Sequence, residues 1–277
     1  MQAFVFVLLA ASAYSLTDDE IAKFYNKGTK EKNSGLTGYI LVNTDGDKHT
    51  IYSNGIPDHD TGNFPGINPN TVGEQDYEFN IPINPTEAAT GGCLPEGPIG
   101  VAANGIPLYN PFAGGGTNAV EGPDAEDFDV CDGHPDPNDR YHYHKMPASC
   151  VSPYQLGVPS DIVGVAVDGY AIYGPIDENG DLLTSDDLDE CHGRYVNGVY
   201  RYHMTEDYPY IMGCFKGDVR SDSGLGNTSR NCYIANDENN SNDPDYNGGG
   251  SDGGGDDGSD RPPPPPGGGM PPPPPRG

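Results

Sequence analysis

The stretch GVAVDGYAIYGP, residues 164–175, reads as two short apolar strands joined at Asp168-Gly169. Asn-Gly or Asp-Gly between apolar segments is typical of a β-hairpin, because a type I′ turn needs positive φ at both central residues. Four more such pairs occur, at Asp45-Gly46, Asn54-Gly55, Asn104-Gly105 and Asn197-Gly198. Helix signals are few, and the best is a capping box of Thr17 and Glu20 in TDDEIAKFY. These patterns predict an all-β, hairpin-rich domain.

The same stretch has a counterpart earlier in the chain. GPIGVAANGIPLYNPF, residues 97–112, aligns with DIVGVAVDGYAIYGPI, residues 161–176, at an offset of 64 residues. Downstream, residues 131–150 parallel residues 191–214, because each segment starts with Cys-x-Gly, contains a Tyr-rich strand ending in histidine and ends with cysteine. The sequence therefore predicts two tandem copies of one β unit of about 60 residues. We call residues 97–150 unit 1 and residues 161–214 unit 2.

The N-terminal sequence indicates export. MQAFVFVLLAASAYS, residues 1–15, contains an apolar run from Ala3 to Ala11 and an A-x-A pattern, which is the layout of a secretory signal peptide. The run is shorter than the ~20 residues that a membrane helix needs, and no later segment approaches that length. We therefore expect residues 1–15 to be a signal peptide, and the protein to be secreted, extracellular and without a membrane span.

Six cysteines lie in the middle of the chain: Cys93, Cys131, Cys150, Cys191, Cys214 and Cys232. An even number in an exported protein predicts disulfides, and the absence of C-x-x-C spacing disfavours a zinc ribbon or a thioredoxin-type site. Two pairings stay open. In one, Cys131 pairs with Cys150 and Cys191 with Cys214, while Cys93 and Cys232 tie the two ends together. In the other, Cys131 pairs with Cys191 and Cys150 with Cys214.

Composition changes after the last cysteine. Residues 233–277 are rich in Gly, Asp, Asn and Pro and include two five-proline runs, which predicts a disordered tail with polyproline II segments. The formal net charge is −28, and without the tail's eight acids and two arginines 34 acidic residues still face 12 basic ones. Such a surface disfavours nucleic acid as a partner but is compatible with divalent cations. Sequons at Asn227 and Asn239 predict a glycoprotein.

The histidines fall into a pattern. RYHYHK, residues 140–145, alternates histidine with tyrosine, so a β-strand places both imidazoles on one face. In unit 2 the Asn197-Gly198 turn sets the register of the flanking strands, and repeat equivalence transfers that register to unit 1. The resulting polar faces carry Asp132, His134, His142 and His144 in unit 1, and His192, Arg194, Arg201 and His203 in unit 2.

Three hypotheses compete for these faces. Paired β-carbons lie about 4.5–5.5 Å apart, which is close enough for imidazoles to share Cu(II) or Zn(II), with Asp132 as an oxygen ligand. Alternatively, the imidazoles are hydrogen-bonded in a structural role while the tyrosines form an aromatic ladder. In the third hypothesis a histidine is a general base, or Arg194 and Arg201 clamp an anion. Calcium(II) is less favoured, because DENGD, residues 177–181, lacks the glutamate of a calcium loop.

Several motifs together resemble one known family. GVAVDGYAIYGP, LDECHGR, RYHYH and YHMTEDYPYIMGC are similar to motifs of the YHYH-domain proteins, which occur in bacteria and eukaryotes. The resemblance spans roughly residues 35–232, so we expect a YHYH-type β domain over residues 17–232. It implies fold and export rather than an activity.

Two classes of function follow. The first is a secreted structural or binding module of the matrix or cell surface, either self-assembling or with an extracellular partner, and carrying a histidine-based metal site. The alternative is a metal-dependent extracellular enzyme that uses the same faces. G-x-S-x-G, P-loop and Rossmann motifs are absent from the sequence, which disfavours conventional hydrolases and nucleotide enzymes.

Overall fold

The computed structural model describes residues 15–62, 68–114, 116–147 and 150–225. The predicted tail, most of the predicted signal peptide, Cys232 and the two sequons lie outside these residues. The described residues contain thirteen strands: β1 Ile40–Asp45, β2 Lys48–Ser53, β3 Tyr77–Pro82, β4 Glu87–Gly92, β5 Pro98–Ala102, β6 Pro107–Tyr109, β7 Gly133–Pro135, β8 Tyr141–Tyr143, β9 Ile162–Ala166, β10 Ala171–Tyr173, β11 Gly193–Val196, β12 Val199–His203 and β13 Phe215–Gly217. The all-β prediction is confirmed.

Helix is confined to two short segments of the described chain. The α-helix Asp18–Ile21 begins with the predicted capping box, in which Thr17 and Glu20 satisfy each other's backbone N–H groups. The other is a 3₁₀ helix, Ser185–Asp187. No helix among the described residues has the length and apolar character needed to cross a membrane.

The strands form three sheets, of which the largest has eight strands in the order β11-β12-β10-β9-β5-β6-β8-β7. Unit 2 supplies the first four strands and unit 1 the last four. Counted outward from the middle of the sheet, the strand order is β9, β10, β12, β11 in unit 2 and β5, β6, β8, β7 in unit 1, so the two units follow the same order. Strands β6 and β8 pair in parallel, as do β10 and β12. The two units thus take equivalent places in the sheet, although their origin as copies stays a prediction.

The units meet along the antiparallel pair of β5 and β9, which we call the seam. Val101 lies opposite Val165, and on either side of this pair a glycine faces an alanine. Gly100 and Gly164 are required there, because a Cβ on either would lie 2.6 or 2.5 Å from a carbonyl oxygen of the opposite strand. Val101 and Val165 are fully buried, so the seam runs through the hydrophobic core.

The predicted turns have different outcomes. Asn197-Gly198 forms the two-residue loop between β11 and β12, with φ of 52° and 82°, as expected for a type I′ turn. The hairpin predicted at Asn54-Gly55 is wrong, because β2 ends at Ser53 and its next partner strand begins only at Tyr77. The Asn54 side chain instead bonds the backbone of a neighbouring loop.

Each unit is closed by its own disulfide. Cys131 is bonded to Cys150 and Cys191 to Cys214, over sequence separations of 19 and 23 residues. These bonds follow the first of the two predicted pairings. Cys93 is disulfide-bonded as well.

Candidate metal centre

Three histidines of unit 1 converge on one point. His134 in β7 lies opposite His142 in β8, and His144 follows two residues later on the same face, as strand alternation requires. The Nε2 atoms of His134 and His142 are 2.9 Å apart, and those of His142 and His144 are 3.0 Å apart. All three side chains are buried.

Backbone carbonyls fix two of these rings. His142 Nδ1 lies 3.0 Å from the carbonyl oxygen of Arg140, and His144 Nδ1 lies 2.6 Å from that of Asn110. A carbonyl oxygen only accepts hydrogen bonds, so both Nδ1 atoms carry a proton. In each neutral ring the lone pair is therefore on Nε2. Two lone pairs face each other across 3.0 Å, an arrangement that is favourable only with a positive charge between them.

A carboxylate completes the group. Oε2 of Glu126 lies 2.9 Å from His134 Nε2 and 3.3 Å from His144 Nε2. It is nevertheless a buried oxygen that accepts no aligned hydrogen bond. Burial acts to raise the pKa of Glu126, but the adjacent imidazoles of His134 and His144 hold it well below its usual range. Glu126 is therefore ionised at neutral pH and could offer this oxygen to a metal ion.

The protonation state of the middle ring is also set by its surroundings. Burial, followed by the proximity of the His144 and His134 rings, holds the pKa of His142 well below its usual range. A neutral imidazole is the form that binds a metal ion. With Glu126, His134, His142 and His144, the cluster offers three nitrogen donors and one oxygen donor close enough together to hold one ion.

The cluster lies in the wall of a cleft of about 740 Å³. Tyr109 and Phe112 line the same cleft, as does Arg140, whose side chain is paired with Asp136. The Tyr109 ring stacks on His142 with 3.9 Å between ring centroids, which restricts rotation of that imidazole. The cluster thus forms part of the cleft wall, while the Glu126 oxygen within it is buried.

A comparison with known families agrees with the motifs. The family model described as YHYH protein matches residues 78–181 and 176–217. The chain belongs to the YHYH protein family. The matched residues contain both units and all four members of the cluster. No curated protein and no solved structure shows a significant match to the chain.

In this YHYH protein the equivalent face of unit 2 is built differently. His203 also directs Nδ1 at a backbone carbonyl, that of Gly174, at 2.8 Å. Its Nε2 accepts a hydrogen bond from Nε of Arg201 at 3.0 Å. Both Arg201 and Arg194 contact the Glu178 carboxylate. The guanidinium groups of unit 2 thus supply the positive charge that the cluster of unit 1 lacks. Between Arg194 and Arg201, where an anion clamp was predicted, the Glu178 carboxylate of the chain itself is bound.

Two residues predicted on these faces lie elsewhere. Asp132 and His192 have φ of 62° and 73°, so the alternation of the following strand does not extend to them. The Asp132 carboxylate is 2.6 Å from Lys145 Nζ, and His192 Nε2 is 2.9 Å from the Thr205 hydroxyl. Neither contributes to the cluster of unit 1. Sequence reasoning missed Glu126, because it is one of several acidic residues in a segment without periodicity.

The tyrosines occupy the opposite face of the same strands. The Tyr141 hydroxyl donates to Asp129, and the Tyr143 hydroxyl contacts Asn104 and His59. In unit 2, Tyr200 and Tyr202 pack edge-to-face. The aromatic-ladder and metal hypotheses therefore describe two different faces and do not exclude each other.

Two further groups of ligand-type residues carry no metal site. His59 lies near Cys131 and Cys150, but these cysteines form a disulfide and offer no thiolate. In DENGD, Asp177 accepts backbone N–H groups of Asn179 and Asp181, which makes this segment an acidic turn.

Proposed function

We propose that the protein is a secreted metal-binding module that holds one divalent transition-metal ion in unit 1. The ligands are His134, His142, His144 and Glu126. The observation that carries the proposal is the pair of Nε2 lone pairs facing each other at 3.0 Å, with both Nδ1 atoms fixed by carbonyls. A cation between them turns this repulsion into attraction.

A shared proton is the competing cation, and two features disfavour it. The lowered pKa of His142 means that this ring holds a proton weakly. The buried Glu126 oxygen also has two imidazoles within 3.3 Å but accepts no well-aligned hydrogen bond from either, whereas a metal ion would satisfy all four donors at once. Imidazole and carboxylate ligands suit Cu(II) and Zn(II) better than Ca(II), which takes oxygen ligands alone.

Export is the second element of the proposal. The apolar N-terminal run with its A-x-A pattern supports it, and so do the two disulfides, which persist in oxidising compartments. In that setting a bound ion would tie the Glu126 loop to β7 and β8 and stiffen one end of the large sheet.

Metal titration of two matched variants tests the binding site. His144→Ala removes a ligand, whereas His203→Ala removes the corresponding ring of unit 2, which is already bonded to Arg201. We expect calorimetry and elemental analysis to find one ion per chain in the wild type and in His203→Ala, and a large loss of affinity in His144→Ala. Free metal at 100 times Kd should stabilise the wild type by about 2.7 kcal/mol, or a melting shift of about 5–10 °C.

Two results would contradict the proposal: no metal bound by folded wild-type protein, or equal affinity in His144→Ala. Circular dichroism of each metal-free variant first establishes that it is folded.

The cleft favours a second candidate, a metal-dependent extracellular enzyme. Its volume of about 740 Å³ is within the range of small-molecule sites, and the cluster lies in its wall. If a substrate reaches the ion, a small exogenous ligand such as azide should change the visible spectrum of the Co(II)-loaded or Cu(II)-loaded protein. An unchanged spectrum at saturating azide would remove the enzyme alternative and leave the binding module.

A further inference from the structure

We infer that the ion in unit 1 is copper(II), with its four protein ligands arranged around it in a square rather than a tetrahedron. This inference rests on the proposed metal-binding function and names the metal and coordination of that same site.

The four donor atoms form a closed ring of short edges. Going round the ring, the edge from His134 to His142 is 2.9 Å and that from His142 to His144 is 3.0 Å. The edges from Glu126 Oε2 to His144 and His134 close the ring, at 3.3 and 2.9 Å.

These edges distinguish two coordination geometries. With metal–ligand bonds of about 2.0–2.1 Å, a tetrahedral ion separates every pair of donors by about 3.3–3.4 Å. A square ion, with angles of 90°, separates neighbouring donors by about 2.8–3.0 Å. Three of the four edges fall in the second range, including both edges between imidazoles.

The donor positions are held by the fold, so the ion has to accept them. The β7–β8 pairing fixes His134 against His142. The carbonyls of Arg140 and Asn110 orient two rings, and Tyr109 stacks on one of them. Opening the ring to tetrahedral edges would disturb several of these contacts together.

Ligand chemistry favours the same metal. Square or tetragonal sites of nitrogen and oxygen donors are typical of Cu(II) and Ni(II), and Cu(II) has the highest affinity of the divalent series. Cu(I) prefers thiolate or thioether ligands, which the cluster does not contain. The oxidised ion is therefore the form that fits.

Two spectroscopic measurements test the inference on the full-length protein. Electron paramagnetic resonance of the protein with one equivalent of Cu(II) should give an axial spectrum with nitrogen couplings from three imidazoles. His134→Ala should lose one nitrogen coupling, and His203→Ala should leave the spectrum unchanged. The Co(II)-loaded protein should absorb only weakly in the visible, because intense d–d absorption is a property of tetrahedral Co(II).

The outcomes separate this inference from the function on which it rests. Intense visible absorption by bound Co(II), or a Cu(II) spectrum without coupling to several nitrogens, would overturn the square copper site while leaving a metal-binding module. Failure of Cu(II), Zn(II) and Co(II) alike to bind would instead overturn the proposed function.

Discussion

The seam between β5 and β9 leads to a sharp prediction about stability. In Gly164→Ala the new Cβ would lie 2.5 Å from the carbonyl oxygen of Val101, about 0.9 Å short of the 3.4 Å at which ordinary contact begins. The close neighbours are backbone atoms, so relief requires the two strands to separate rather than a side chain to rotate. Overpacking of this kind costs about 1–3 kcal/mol, and each seam hydrogen bond that lengthens adds about 1 kcal/mol. We expect a loss of about 3 kcal/mol.

Urea unfolding measures this loss. The chain has 18 tyrosines and no tryptophan, so tyrosine fluorescence and circular dichroism are suitable probes. Gly100→Ala should cost a similar amount, because its Cβ would lie 2.6 Å from Val165 O. The double variant should lose less than the sum of the two, since separation of the strands relieves both contacts. Gly114→Ala is the control, with nothing within 4 Å of its Cβ. A change below 0.5 kcal/mol in either seam variant would refute the reasoning.

Three more predictions concern other parts of the chain. Tyr202→Phe should cost about 2–3 kcal/mol in urea unfolding, because the buried hydroxyl donates to Asp168 at 2.6 Å. Burial acts to raise the pKa of Glu31, but hydrogen bonds from the surrounding loop lower it to about 2. This carboxylate therefore stabilises the fold above pH ~4.5. Its contribution of about 3 kcal/mol should be lost as the pH falls towards 2. Truncation of residues 233–277 should leave the melting temperature unchanged, because the tail has almost no apolar surface to bury.

Each of these has its own control. Tyr195→Phe removes a hydroxyl from a half-exposed ring, so its cost should stay below 0.5 kcal/mol, and equal costs for the two variants would contradict the burial argument. Glu31→Gln should show a shallower loss of stability between pH 4.5 and 2 than the wild type; parallel curves would mean that Glu31 is not linked to folding. A melting temperature lowered by several degrees on truncation would indicate that the tail docks on the domain.

Local chemistry explains which parts of the fold could be predicted. Asn197-Gly198 forms a hairpin because its strands pair immediately on either side. Asn54-Gly55 has the same dipeptide but fails, because the Asn54 side chain bonds the backbone at Thr37 and Tyr39 instead. The parallel pairs could not be predicted either. They depend on long connections that cross the sheet, and no local pattern records where those connections return.

In the candidate metal centre, too, local sequence patterns predicted some residues and missed others. Strand alternation placed His142 and His144 on one face, since period two is a property of the extended backbone, and the register transferred from the Asn197-Gly198 turn of unit 2 added His134. Strand alternation does not extend to Asp132, because its positive φ turns the side chain away from the cluster. Strand alternation also could not identify Glu126. The acidic loop that contains it has no periodicity and offers several equivalent carboxylates, and only the tertiary path of the chain brings one of them to the cluster.

The pairing of disulfides within units has a consequence for biosynthesis. Cys131 and Cys150 belong to a segment that emerges from the ribosome before unit 2 exists, so this bond can form as soon as unit 1 collapses. The seam cannot form then, because β9 begins only at Ile162, after the end of unit 1 at Cys150. Until it arrives, β5 presents an unpaired apolar edge to which a second nascent chain could add. The interval before β9 emerges is thus the period in which the β5 edge is open to pairing with another chain.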